Sequence, residues 1–248
     1  MSWQSGQGAS GKAEATAASI AEIRENAMPL RFGLVAFPGV QLLDLAGPCD
    51  VFSAAPDTDV HILWKDTAPV ISSCGLPLIP TMTFADCPPL DVLCVPGGVG
   101  VNALLVDEDV LGFVRGQAVA ARYVTSVCTG AMVLGAAGLM QGKRATTHWS
   151  TLDFLDRLGA IPVEARVVHD GNLITAGGVT AGIDFGLTMI AELFGREEAE
   201  AIQLALEYAP APPFSSGTPG EAPPAVVEAV RARYAPLRAA RETLLPPA

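Results

Sequence analysis

Short apolar runs ended by glycine- or proline-containing turns alternate with helical segments along most of the chain, and this alternation constrains the fold most. The predicted strands include residues 30–37, 90–95 and 123–127. Each run is aliphatic or β-branched and has the length of a buried strand. Because such alternation is typical of parallel sheets, we predict an α/β fold with a doubly wound, mostly parallel sheet sandwiched by helices.

The strand at residues 123–127 leads directly into Cys128, and small residues follow from Gly130 onward. A cysteine at a tight strand-to-helix turn is both exposed to substrate and held in place. The helix N-terminus offers free N–H groups and positive potential, so we expect the pKa of Cys128 to fall toward the thiolate form. The alternative interpretation is a buried structural cysteine.

Two further features follow predicted strands and are expected at the same sheet edge as Cys128. These are Asp44, in the loop before a helix predicted at residues 47–55, and the Gly97-Gly98 turn. Ligands bind at the carboxyl ends of strands in such sheets. The hypothesis is a nucleophilic Cys128, charge stabilisation by the backbone N–H groups of Gly98 and Thr129, and Asp44 as acid or base.

Each feature also has a simpler explanation. A Gly-Gly pair after a strand is often only a turn, and an Asp before a helix is often its N-cap. His148 is a second candidate for the base that serves Cys128. The arginines of the last predicted helix, residues 226–244, are expected to form a solvated face after a linker at residues 210–224.

Composition limits the classes of function. The 248 residues include 26 acidic and 15 basic side chains, a net charge of −11, which argues against nucleic-acid binding. Five scattered cysteines without a CxxC pair, and three separated histidines, argue against zinc and for reduced thiols in a cytoplasm. No apolar run approaches the roughly 20 residues of a membrane span.

The predicted domain organisation is simple. Residues 1–28 are rich in Ala, Gly, Ser and Glu and lack the apolar segment of a signal peptide, so we expect a flexible leader. Residues 29–248 are expected to form a single α/β domain, with a C-terminal extension from about residue 210.

Several separate motifs resemble the ThiJ/PfpI (class I glutamine amidotransferase-like) superfamily and, within it, the isonitrile hydratase branch. They are QLLDLAGPCDV, FADCPPLDVLCVPGGVGV, ARYVTSVCTGAMVLGAAGLMQGKRATTHW, GNLITAGGVTAGIDFGLT and LEYAPAPPF. They extend from about residue 30 to residue 214, in order and with matching spacing.

The resemblance implies a flavodoxin-like sandwich, a homodimer, and hydration of an isonitrile to an N-substituted formamide without metal or organic cofactor. Carried over by motif, Cys128 is the nucleophile, Asp44 the general acid/base and Thr129 an assisting residue. The fold analogy also suggests that Gly177 and Val179 flank the cysteine pocket.

Departures from neighbouring branches favour the hydratase. The protease-like branch has His directly after its cysteine where this chain has Thr129, and the deglycase and glyoxalase branch uses Glu in the first loop where this chain has Asp44. A regulator branch appends helix-turn-helix units, for which one helix after residue 224 is too little. The alternatives left open are a glyoxalase or deglycase, and a redox or ligand sensor that uses Cys128 without turnover.

Overall fold

The computed structural model describes residues 28–245. The leader predicted at residues 1–28 lies outside this range except for Met28. The single domain predicted for residues 29–248 stays a prediction.

The strands and helices alternate as predicted. The described residues form strands β1 (Leu30–Val35), β2 (Thr58–Trp64), β3 (Val70–Ile71), β4 (Pro77–Leu78), β5 (Met82–Thr83), β6 (Val92–Val95), β7 (Tyr123–Val127), β8 (Arg144–Ala145), β9 (Ile161–Pro162), β10 (Val167–Asp170) and β11 (Leu173–Ala176). They form helices α1 (Leu42–Ser53), α2 (Val101–Leu104), α3 (Glu108–Ala120), α4 (Gly130–Ala136), α5 (Phe154–Arg157), α6 (Ala181–Phe194), α7 (Arg196–Ala205) and α8 (Pro224–Glu242), with a 3₁₀ turn at Trp149–Thr151.

Seven of these strands build the central sheet, in the order β10-β11-β7-β6-β1-β2-β5. All neighbouring strands are parallel except the antiparallel pair β10–β11. Helix α6 packs with α1 and α7, and α4 packs with α2, α3 and α5, so two helical layers cover the sheet. The predicted doubly wound, mostly parallel α/β architecture of the flavodoxin-like class is confirmed.

The register brings the carboxyl ends of the central strands to one edge. Cys94 in β6 is paired with Thr125 in β7, and Ala176 at the end of β11 is paired with Val127 at the end of β7. The residues that follow these strands therefore meet, as expected for ligand sites in such sheets.

Helix α1 differs from its prediction at the N-terminus. It begins at Leu42, so Asp44 lies in its first turn and not in a loop before it. The predicted start near Gly47 would have put Pro48 in the first turn, where proline is favourable. Pro48 instead lies inside α1, where its missing N–H leaves the carbonyl of Asp44 without its usual helical bond.

Helix α8 also differs from its prediction. Arg241 is 2% exposed, and Arg238 pairs with Asp153 beside the 3₁₀ turn, so neither belongs to a solvated face. Within residues 28–245, no helix is both long and apolar enough to cross a bilayer.

Candidate active site

Cys128 occupies the turn between β7 and α4 in a backbone conformation that few non-glycine residues adopt. Its φ of 54° lies in the left-handed region, which costs on the order of 1–3 kcal/mol at such sites. Its N–H donates to the carbonyls of Ala176 (3.0 Å) and Gly177 (2.9 Å), and its carbonyl accepts from Thr147 Oγ1 (2.7 Å). These bonds hold Cys128 in the strained turn.

The tightness of this turn depends on Gly130. A β-carbon at that position would lie 1.9 Å from the carbonyl oxygen of Val95, at the end of β6. No side chain fits there, so α4 can begin directly against the neighbouring strand only with glycine.

Asp44 presents a fully buried carboxyl group to this turn. Its Oδ2 accepts the N–H of Gly97 at 2.9 Å, and its Oδ1 has no hydrogen-bond partner among the described residues. Burial raises the pKa of Asp44 to about 7, outweighing the Gly97 N–H and the Cys128 thiol, which both lower it. A carboxyl group with this pKa can both accept and donate a proton near neutral pH.

The pKa of the Cys128 thiol is raised, whereas the sequence predicted that it would be lowered. Burial first, and then the charge of Asp44, raise its pKa far above the ordinary range, although the N–H groups of Thr129 and Val179 lower it. The expected shift toward thiolate is therefore wrong for the resting site, because removing the 6%-exposed Cys128 from water outweighs two N–H groups. Asp44 loses its proton before Cys128 does.

Gly97 and Gly98 lie where the sequence placed them, but their N–H groups are engaged. That of Gly97 donates to Asp44, and that of Gly98 donates to Thr129 Oγ1 at 3.1 Å. A β-carbon on Gly97 would come within 2.6 Å of the Thr129 nitrogen and 2.8 Å of Asp44 Oδ2. The two glycines thus position Asp44 and Thr129 beside Cys128.

Gly177 and Val179 also adjoin Cys128. The Gly177 carbonyl accepts a hydrogen bond from the Cys128 N–H, and the Val179 N–H lowers the pKa of the thiol by hydrogen bonding to it. Both residues line, with Thr147 and His148, a cavity of about 740 Å³. A substrate in this cavity would adjoin the turn that holds the thiol.

His148 does not join the Cys128–Asp44 pair through a hydrogen bond. Its Nδ1 lies 2.8 Å from Ser150 Oγ and accepts the Ser150 N–H at 3.3 Å. Burial, and secondarily the charge of Arg241, lower the pKa of His148 to about 4, so the ring is neutral at neutral pH. It caps the 3₁₀ turn at Trp149–Thr151.

Sequence reasoning missed Arg241, which α8 buries near the site. The available signal was its spacing from Leu237 and Leu244, four residues before and three after it, which puts it on an apolar stripe of the helix. Within residues 28–245, no group of three or more potential metal ligands occurs.

The fold and this strained cysteine turn define a known class. A model of the DJ-1/PfpI family matches residues 31–192, and the chain belongs to that family. The solved structure of a ThiJ/PfpI family protein from Pseudomonas syringae superposes with a TM-score of 0.85 at 44% identity, covering 87% of this chain and 90% of that one.

Among characterised proteins, the isonitrile hydratase of Pseudomonas putida is 63% identical over 209 residues, which are 84% of this chain and 92% of that enzyme. A helix-turn-helix transcriptional regulator of Pseudomonas aeruginosa is 30% identical over 186 residues, 72% of this chain but 50% of the regulator. The similarity to the hydratase thus extends over most of both chains, whereas the regulator is matched over half its length.

Proposed function

We propose that this protein hydrates isonitriles, R–N≡C + H₂O → R–NH–CHO, with Cys128 as nucleophile and Asp44 as the group that moves protons. The observation that carries the proposal is a buried carboxyl group, with its pKa raised to about 7, beside a cysteine held in a strained turn. The 63% identity to the Pseudomonas putida hydratase supports the same reaction.

In the first half-reaction, ionised Asp44 accepts the thiol proton as the sulfur of Cys128 bonds to the terminal isonitrile carbon. This order fits the shifted pKa values, because Asp44 is ionised while Cys128 is still protonated. The protonated Asp44 then returns its proton to the bound substrate. The product is a thioimidate, Cys–S–CH=N–R, and the carboxylate is regenerated.

In the second half-reaction, Asp44 accepts a proton from water as the water oxygen bonds to the thioimidate carbon. The nitrogen takes up that proton, which gives Cys–S–CH(OH)–NH–R. The C–S bond then breaks, the hydroxyl proton passes to the sulfur, and the formamide leaves. One water molecule is consumed, and both Cys128 and Asp44 return to their starting states.

The other site residues assist this pair. Thr129 contributes its backbone N–H toward the thiol and is held by Gly98, while Gly97 orients the Asp44 carboxyl. Gly177 and Val179 form the cavity wall next to Cys128. No metal or organic cofactor enters these steps.

A redox sensor is the weaker proposal. Sensor cysteines are exposed and have a low pKa, because the thiolate is the form that peroxide oxidises. Cys128 is 6% exposed and burial raises its pKa, so the site favours nucleophilic attack assisted by Asp44 over oxidation by peroxide.

The test is incubation of the protein with cyclohexyl isocyanide and detection of N-formylcyclohexylamine. We expect product with the wild type and none above background with Cys128→Ala. Cys94→Ala, which removes a buried thiol from β6, is the matched control and should retain activity. No product with the wild type, or undiminished product with Cys128→Ala, would reject the proposal.

The resemblance also leads us to propose a cytoplasmic homodimer that binds neither nucleic acid nor a membrane. Light scattering at micromolar concentration tests the assembly directly. A mass corresponding to one chain would contradict the dimer without affecting the proposed chemistry.

A further inference from the structure

Arg241, in the last turn of α8, is a buried cation without a carboxylate partner among the described residues. It is 2% exposed, and its Nε donates to Asn102 Oδ1 at 2.7 Å, which is a neutral acceptor. Its Nη2 has no hydrogen-bond partner in the described part of the chain. Burying a charge in this way is unfavourable unless an opposite charge balances it.

Neighbouring arginines of the same region are paired differently. Arg238, three residues earlier on α8, donates to Asp153 Oδ1 at 2.8 Å, and Arg157 lies 3.6 Å from Glu242. The nearby carboxylates of Asp153 and Glu242 are thus engaged by other arginines.

Two contacts, one made by Arg241 and one by Tyr234, place helix α8 against both sides of the active site. Asn102 belongs to α2, which directly follows the Gly97-Gly98 turn, and its amide also donates to the carbonyl of Leu237 at 3.4 Å. On the other wall, the ring of Tyr234 from α8 lies 5.6 Å from the ring of His148. Helix α8 therefore spans from the Gly97-Gly98 side to the His148 side.

The charges of these groups interact. Burial lowers the pKa of Arg241, and Arg238 adds to that lowering, whereas negative charge on Cys128 opposes it. Arg241 in turn helps lower the pKa of His148. Besides Asp44, Arg241 is therefore coupled electrostatically to the thiol, and neutral His148 is coupled to Arg241.

Of the N–H groups predicted to stabilise charge, that of Gly98 is bonded to Thr129 Oγ1, whereas the N–H of Thr129, together with that of Val179, acts on the thiol. We propose that Arg241 adds a cation to these N–H groups and is the charged stabilising group of this site. It stabilises the negative charge that forms on the sulfur of Cys128 during attack and then develops on the substrate before protonation. The part of this inference that concerns charge on the substrate rests on the proposed isonitrile hydration.

Replacing Arg241 would remove a preorganised hydrogen-bond donor that stabilises the negative charge developing in the transition state. Such losses reduce kcat by about 10²–10³-fold. Arg241→Gln should therefore lower kcat for cyclohexyl isocyanide by about 100-fold with KM changed less than about threefold, because the interaction is made with developing charge and not with the neutral substrate. Arg241→Lys, which keeps the charge, should recover part of the loss.

A second readout needs no substrate. The rate of Cys128 alkylation by iodoacetamide, followed by peptide mass to separate it from exposed Cys74, reports how readily the thiolate forms. Arg241→Gln should slow this alkylation at pH 8 by about tenfold, a pKa increase of about one unit. The matched control is Arg233→Gln, an exposed position on the same helix, which should stay within twofold of the wild type in both assays.

The outcomes separate the two proposals. Slower Cys128 alkylation in Arg241→Gln, without isonitrile turnover by the wild type, would reject the hydration and retain the role of Arg241 at the thiol. Alkylation and kcat equal to those of Arg233→Gln would overturn the inference. If thermal melting shows that Arg241→Gln does not fold, Asn102→Ala replaces it as the test, because this variant keeps Arg241 but removes the acceptor that orients it. Asn102→Ala should lower kcat by at least fivefold. An unchanged kcat in Asn102→Ala would likewise overturn the inference.

Discussion

Replacing Asp44 with Asn should lower turnover by orders of magnitude and, at the same time, remove an unusual pH dependence of stability. Because burial raises the pKa of Asp44 from 3.8 to about 7, the unfolded chain releases this proton at lower pH than the folded chain. Between these pKa values the folded state binds more protons, so this group makes the free energy of unfolding fall as pH rises, and the loss is complete above about pH 7. Asparagine accepts the Gly97 N–H in the same way but does not titrate.

The magnitude follows from the two pKa values. Each pH unit between them corresponds to about 1.36 kcal/mol, so the ionised carboxyl costs about 4 kcal/mol in full and about 2 kcal/mol between pH 5.5 and pH 8. The Asn amide facing the position of Oδ1 adds a cost of about 1–3 kcal/mol, but this does not vary with pH and cancels in the comparison.

The assay is urea unfolding of the wild type and Asp44→Asn at pH 5.5, 6.5, 7.5 and 8. The stability of the variant relative to the wild type should increase by about 2 kcal/mol across this range, while turnover falls by about 10²–10⁴-fold. Asp50→Asn, on the exposed side of the same helix, controls for the loss of one negative charge. A stability difference for Asp44→Asn that is constant with pH would refute the reasoning.

Three further outcomes are expected. The value of kcat/KM should rise with pH and level off above an apparent pKa of about 7, because ionised Asp44 accepts the thiol proton; a profile flat from pH 5.5 to 8 would contradict this assignment. Gly130→Ala should lose at least about 3 kcal/mol of stability or fail to fold in denaturant titrations, since its β-carbon would lie 1.9 Å from the Val95 carbonyl oxygen; Gly112→Ala, in open space on α3, is the control. His148→Asn keeps an acceptor for the Ser150 N–H and should change kcat less than about fivefold in the formamide assay, whereas a 100-fold loss would make His148 the base.

The parallel sheet, and the proximity of Cys128, Asp44 and Gly97 at one edge of it, could be predicted from the sequence by a general rule of such sheets. Residues that follow parallel strands lie at the same edge, whatever the details of packing. The start of α1 could not be predicted in the same way, because it depends on tertiary packing. Pro48 lies inside the helix and packs closely against α6, where a β-carbon on Gly182 would lie 3.1 Å from its ring.

The charge state of the site depends on burial, which local sequence does not show. A helix N-terminus near Cys128 predicted a lowered pKa, but the surrounding strands and helices remove the thiol from water and raise it. Arg241 was missed for a related reason. Its contact with Asn102 joins residues 139 positions apart, and no short motif contains both.

Helix α8 follows an exposed segment at residues 206–223 and is attached to the site through a small number of side chains, including Asn102, Tyr234 and Arg238. Segments held in this way open at a lower free energy than the sheet core they cover. We therefore expect catalysis and folding to have separate temperature limits in this protein. As the temperature rises, α8 should detach and carry Arg241 away from Cys128 while the seven-stranded sheet is still intact, so that activity is lost before the fold.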